Sequence, residues 1–335
     1  MGKYLLKRFI SLIFVIFCMT IIIFLVIYLL PADPARAVLG PSATNEQVQQ
    51  KQKELGLDQP LAVQYGKYVK GLVKLDFGTS IQSNKPVLEE IGSRFGATLE
   101  LTLVSLLVYL ILSVFLGSIA ALKRGSALDG GIRIFSILGI SVPGYWLALV
   151  LQFILFFKLG WLPSGMRLPV GIAAPTHITG LYILDSILTG NWEVLKLSII
   201  HMIMPVACLV IGCTGITTRM MRGQLLQELR QDYIRTARSK GASEAGIVLR
   251  HAMRNAISPI MTIVGMQAGG MIGGTVLIEK IFNWPGLGNY AMVSIRAFDL
   301  YVVAGIALMM SVVFVLVSLV VDILYVVIDP RVRLT

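Results

Sequence analysis

The chain is short of charge. Only 14% of its 335 residues are Asp, Glu, Lys or Arg, against about 25% in an ordinary soluble domain. That shortage argues against a soluble globular enzyme and against a disordered chain. It also argues against a nucleic-acid binder, despite a net charge of +11, because such proteins carry basic groups in quantity. Cysteine is scarce too. Cys18, Cys208 and Cys213 lie inside apolar runs, an odd number that suits buried small hydrophobes rather than a disulfide framework or a zinc site. His177, His201 and His251 are scattered without metal-ligand spacing, and no metal site is expected. No G-x-x-x-x-G-K-[ST] phosphate loop occurs, so the chain does not hold ATP by that route. No carboxylate falls deep inside a long apolar stretch, which weakens a proton-coupled transporter.

What is abundant is hydrophobic: 56% of residues, enough for a polytopic membrane protein. Six stretches lack Asp, Glu, Lys and Arg altogether: Phe9–Ala32, Leu101–Leu122, Ile134–Phe157, Leu197–Thr218, Asn255–Ile278 and Leu300–Val321. Each is long enough, at about 1.5 Å per residue, to cross a hydrocarbon core of about 30 Å. The fourth contains His201 and Pro205, yet its length and apolar core favour a span. The first follows Lys3, Lys7 and Arg8 and precedes Ala35-Arg36-Ala37, a signal-peptide disguise. Its apolar core exceeds the roughly 7–15 residues of a signal peptide, so it reads as a retained helix.

Six spans put both termini on one side. With the N-terminus inside, segments 1–8, 123–133, 219–254 and 322–335 hold 16 Lys and Arg in 69 residues. The outer segments 33–96, 158–196 and 279–299 hold 13 in 124. This asymmetry orients the chain with its termini in the cytoplasm. Ionisable residues at span edges, namely Glu100, Lys158, Arg219, Glu279 and Asp322, are expected to snorkel or pair locally.

Outer segment 33–96 reads as a small folded subdomain. Val48–Leu57 is polar and helix-compatible; Leu61, Tyr65, Tyr68, Val69, Leu72 and Leu75 then follow at helical spacing, a stripe more suited to packing than to ligand contact. The outer loop 158–196 carries Trp161, Tyr182 and Trp192 as candidate interface anchors. The inner loop 219–254 is different, with eight basic and three acidic residues on helix-forming sequence interrupted at Gly241. Glycine there suits a left-handed helix end and Ser243 can cap the next helix, so two short helices should meet at a corner. Such a basic segment can lie on anionic headgroups. Small residues at the corner (Ala237, Gly241, Ala242, Ala245, Gly246) instead favour docking against another protein's backbone. Span five bears a glycine ladder, Gly265, Gly269 and Gly273, flanked by Gly270 and Gly274, a flat face for helix packing or for a path.

The inner loop also carries a resemblance. Gln231–Asn255, with Arg235-Thr236-Ala237-Arg238 and Lys240-Gly241-Ala242 followed by His251, Met253, Arg254 and Asn255, resembles the cytoplasmic signature of binding-protein-dependent ABC importer permeases. It departs from the general E-A-A-x(3)-G-x(9)-I-x-L-P form and matches the variant of the dipeptide, oligopeptide and nickel branch. Leu55–Ser80, Lys85-Pro86-Val87, Ile278–Gly288 (through Phe282, Trp284, Pro285, Gly286 and Gly288) and Asp329-Pro330-Arg331-Val332-Arg333 are similar to blocks of the same branch.

The resemblance implies an all-α type I importer permease. Residues 1–32 would form the tail and first helix, 33–96 the extracytoplasmic subdomain, 97–328 the permease domain of helices 2–6, and 329–335 the tail. It implies a second related permease, two cytosolic ATPases that bind the ATP and Mg²⁺, an extracytoplasmic solute-binding protein, and a prokaryotic cytoplasmic membrane. No nucleic-acid partner, catalytic residue or cofactor of its own is expected. Tyr233, Arg235–Arg238 and Lys240–Glu244 would couple to the ATPases. Span-five glycines would line the path or the permease seam, and Phe282, Trp284, Pro285, Gly286 and Gly288 would belong to an outer gate. The segment Gly180–Trp192 is more like dipeptide than nickel permeases; nickel, or a metal chelate, is the alternative substrate, and an ion-driven secondary transporter the alternative class.

Overall fold

The computed structural model describes residues 2–29, 43–55 and 58–328. The Asp329–Arg333 block and parts of segment 33–96 lie outside them. The described residues form twelve helices and no strand: α1 Gly2–Leu29, α2 Asn45–Leu55, α3 Leu61–Val73, α4 Val87–Leu122, α5 Ala127–Ser141, α6 Gly144–Lys158, α7 Tyr182–Thr189, α8 Trp192–Glu228, α9 Asp232–Ser239, α10 Glu244–Ile281, α11 Leu287–Arg296 and α12 Leu300–Ile328. Among them α4, α8, α10 and Leu300–Leu319 of α12 are long and apolar enough to cross a membrane, and the α5–α6 pair makes a fifth candidate.

That pair departs from the straight third span the sequence suggests: its axes bend by 106°. Pro143 is the cause. It cannot donate a backbone hydrogen bond, and it forces Val142 before it into extended geometry (φ −91°, ψ 121°), which ends α5. Pro205 and Pro259, by contrast, lie inside continuous α8 and α10. Helix α10 also starts earlier than expected. The corner's second helix is no separate piece but runs through a wider π-helical turn, Ile247–Ala252, into span five.

The chain divides into two compact units, residues 1–98 with 285–315 and residues 99–284 with 316–335. In the first, α3 lies along α1. Thr20 Oγ1 is 2.9 Å from the Tyr65 hydroxyl, and the Phe24 ring meets Tyr65 edge-on at 5.4 Å. Tyr68 and Leu72 of the predicted stripe join the same cluster, whereas Leu61 stays exposed and Leu75 falls beyond the helix end. Val87, Ile91, Leu287, Val302 and Ile306 form this unit's core. Asp299 is buried there and accepts hydrogen bonds from Ser80 Oγ at 2.6 Å and Ile81 N at 2.9 Å, fixing the turn before α4.

In the second unit α8 is central, packed against α5, α6, α7 and α10. Glycines let the backbones meet. A Cβ on Gly215 would lie 2.2 Å from the Ser136 carbonyl oxygen, one on Gly139 2.7 Å from that of Ile211, and one on Gly117 2.8 Å from that of Thr218. Backbone cannot yield as a flexible side chain can. Gly215→Val should therefore lower the melting temperature of the detergent-purified chain, a loss of about 1–3 kcal/mol from overpacking. Gly273→Ala, where a Cβ meets nothing within 4 Å, should leave it unchanged or higher. Equal melting of both variants would refute the packing assignment.

Candidate functional site

Three groups of residues make up the candidate site, and each has its own geometry. The first is the corner between α9 and α10. Its form follows from two residues. Gly241 adopts φ +80°, a left-handed conformation that closes α9, with the Gly241 and Ala242 N–H groups donating to the Arg238 and Ala237 carbonyls at 3.0 and 3.2 Å. Ser243 then opens α10, its Oγ accepting from Gly246 N at 3.2 Å. A Cβ on Gly241 would meet nothing within 4 Å, so backbone conformation, not crowding within the chain, demands glycine here.

Charged side chains brace the corner. Arg238 donates through Nε and Nη2 to the two Glu244 carboxylate oxygens at 2.6 and 3.0 Å, a forked pair that ties the last turn of α9 to the first of α10. The pair is exposed, so it guides geometry more than it adds stability. Arg235, Thr236 and Lys240 face solvent, while Ala237 and Ala242 are half-buried. Ile234, fully buried, is the apolar anchor of α9, and Ile247 and Val248 are buried in the π-helical turn that α9 packs against. Tyr233 accepts from Asn255 Nδ2 at 3.0 Å and donates to Glu228, joining the ends of α8 and α9 to α10. Burial, then the Glu228 carboxylate, push its hydroxyl pKa up.

The second group is the glycine ladder. Gly265 and Gly269 are half-buried, whereas Gly270, Gly273 and Gly274 are exposed, next to exposed Met266 and Leu277. Among the described residues a Cβ on Gly270 or Gly273 would meet nothing within 4 Å, and one on Gly274 would make only ordinary contact, 3.6 Å, with Leu209. At these three positions the ladder thus packs closely against no helix among the described residues.

The third group is the turn after α10. Phe282 and Trp284 are fully buried, and Asn283 between them adopts φ +47°. The Phe282 carbonyl accepts from Met166 N at 2.8 Å, and the outer loop approaches so closely that a Cβ on Gly165 would overlap that carbonyl at 2.0 Å. Gly286 caps α11, and Leu287 N donates to Thr98 Oγ1 at 2.8 Å. Gly288 is buried in the first turn of α11.

Ion pairs and a buried carboxylate hold the surrounding frame, and sequence reasoning gave only partial notice of them. Glu100 was visible as a span-edge carboxylate. Its partner, Arg167, was not: it lies within an irregular loop with no periodicity to mark it. Both are buried, Arg167 stacks over the Tyr182 ring at 3.4 Å, and Ile183 N donates to Glu100 at 2.6 Å. Tyr182 is therefore a platform for this pair; Trp161 and Trp192 are largely exposed. Asp129 and Arg222 pair through two 2.8 Å hydrogen bonds, linking α5 to α8. Asp185 is buried and accepts from Thr179 Oγ1 at 2.6 Å, Thr179 N at 2.8 Å, Gly180 N at 3.0 Å and Ile178 N at 3.3 Å. Burial alone would raise its pKa, but these donors outweigh it and hold the carboxyl below the usual range.

Helices of this length and apolarity suit a membrane component. The chain belongs to the family described as the binding-protein-dependent transport system inner membrane component, whose model matches residues 113–334; the model of the family's N-terminal part matches residues 1–102. It is thus an inner-membrane permease subunit of an ABC importer. It is 42% identical over 322 residues to a probable D,D-dipeptide transport system permease protein of Escherichia coli, covering 96% of this chain and 95% of the relative. A dipeptide transport system permease protein of Alkalihalophilus pseudofirmus is 40% identical, covering 99% and 100%. A glutathione transport system permease protein of Salmonella paratyphi A is 37% identical, covering 99% of both.

The Asp185 cage has a pH signature. Its folded pKa is depressed, so its contribution is complete above the unfolded value of about 3.9 and is lost as pH falls through the folded value. Asp185→Asn should lower thermal stability at pH 7, by about 1–3 kcal/mol for mispaired buried donors. The gap from wild type should narrow toward pH 3. A gap that stays constant across that range would show that the carboxylate charge is not what orders the loop.

Proposed function

We propose that this permease forms one half of a path for small peptides, delivered by an extracytoplasmic binding protein and driven by partner ATPases. The peptide reading rests on the likeness, over nearly the whole chain, to permeases named for dipeptides and D,D-dipeptides. The glutathione relative widens the class without leaving it, since glutathione is itself a modified tripeptide. In this reading six spans cross the bilayer, with both termini cytoplasmic and segment 33–96 outside. A second, related permease completes the path. The exposed glycines Gly270 and Gly273 suit the seam between permeases or the path itself, where close backbone approach is required. ATP and Mg²⁺ bind on the ATPases.

The corner supports a mechanism. ATP binding closes the ATPase pair and moves the docked corner around Arg235–Gly246. The π-helical turn is continuous with α10, so displacement of the corner acts on the helix that bears the glycine face and ends at Phe282 and Trp284. The helices rock between inward- and outward-facing states, with the buried Phe282–Gly288 turn as part of the outer gate. Coupling of this kind needs different corner contacts in the two states, because docking that is equal in both shifts nothing.

Gly241→Val would place a β-branched residue at φ +80° and should abolish ATP-dependent dipeptide uptake at normal membrane expression. Gly241→Asn, which tolerates that conformation, should retain much of it. Full uptake by the valine variant would overturn the coupling role. Uptake should also survive an uncoupler while ATP is maintained; its collapse would favour an ion-driven carrier.

A further inference from the structure

The inner ends of α4 and α8 carry basic side chains outside the coupling corner. A cleft of about 470 Å³ opens there, lined by Arg124, Arg222, Leu226, Gln227, Arg230 and Gln231. Arg222 is matched by Asp129. Arg124 and Arg230 have no acidic partner among the described residues, so two positive charges face the cleft unmatched. Gln227 and Gln231 add amide donors, and Leu226 gives one apolar edge. This is the chemistry that takes a phosphate oxygen: guanidinium groups in fork geometry with neutral donors beside them.

Position selects the source of the phosphate. Arg124 comes two residues after the charge-free stretch Leu101–Leu122, and Arg222 four residues after Leu197–Thr218. Both therefore stand within about one helical turn of the hydrocarbon boundary, at headgroup depth, and form the membrane-proximal edge of the cleft, whereas Arg230, twelve residues past Thr218, lines its far edge. Basic pockets between membrane helices at that depth suit anionic lipid headgroups. We infer that the Arg124–Arg222–Arg230 cleft binds the headgroup of an acidic phospholipid. Its assignment to the cytoplasmic leaflet rests on the orientation proposed above. Gln231 lines the cleft and occupies the N-cap position of α9, so a bound headgroup sits at the start of the helix that leads to the coupling corner.

Native mass spectrometry of the full chain in detergent tests this, with phosphatidylglycerol or cardiolipin against phosphatidylcholine. Wild type should prefer the acidic lipids about tenfold or more, a difference of about 1.4 kcal/mol. Arg124→Gln/Arg230→Gln should lose that preference. Lys123→Gln, which removes an adjacent charge that does not line the cleft, should keep it. A preference retained by the double variant overturns the proposal. So does displacement of the lipid by millimolar inorganic phosphate, which would make the cleft a soluble-anion site. A double variant that keeps its lipid preference but no longer retains co-expressed ATPase subunits would assign the cleft to a protein partner instead. Labelling of Ser126→Cys from one side of sealed vesicles reads the orientation separately, so an error in sidedness is not confused with failure of lipid binding.

Discussion

Backbone-to-backbone contact at glycine is the constraint on which the second unit depends. In lipid, burying apolar side chains gives little drive for helix association, because the solvent is as apolar as the core. Close approach and polar pairing must do that work. Gly139 and Gly215 let α5 and α8 touch through main-chain atoms, Gly117 does the same for α4 and α8, and the Asp129–Arg222 pair fixes α5 against α8 at one end. With α8 held in this way, the corner after it and the outer loop before it acquire defined positions. Gly165, pressed on the Phe282 carbonyl, repeats the device at the other end of α10.

The glycines of the chain consequently divide into different kinds. At Gly117, Gly139, Gly165 and Gly215 there is no room for a side chain, whereas Gly241 has room and needs the backbone freedom. Gly270 and Gly273 have room and an ordinary conformation, yet stand exposed on an apolar helix. Among the described residues nothing crowds those two positions, and they leave a flat face open on α10.

Much of the architecture was legible from the distribution of charge. Four of the six charge-free stretches correspond to α4, α8, α10 and the first part of α12, because length and apolarity alone fix such helices in a bilayer. The corner was legible too, since a left-handed glycine and a serine cap act locally within a few residues. The 106° bend was missed because an apolar run reads as one helix whether or not a proline breaks it; Pro205 and Pro259 leave α8 and α10 intact, so Pro143 alone did not decide the matter. The Glu100–Arg167 pair was only half visible, because its partners are 67 residues apart and one lies in an irregular loop. Asp185 was passed over for a related reason. A carboxylate satisfied by the N–H groups of its own loop leaves no pattern that periodicity can detect.

The π-helical turn at Ile247–Ala252 has a bearing on how such permeases diversify. A wider turn absorbs one additional residue, and each residue advances a helix by about 100°. The stretch from Gly241 to Asn255 therefore acts as a phase setting, fixing the direction in which Gly270 and Gly273 point relative to the corner. A corner exchanged from a relative would keep that alignment only when it carries the same residue count and the same wide turn. The residue count of the corner is thus tied to a helix face some 30 residues further along the chain.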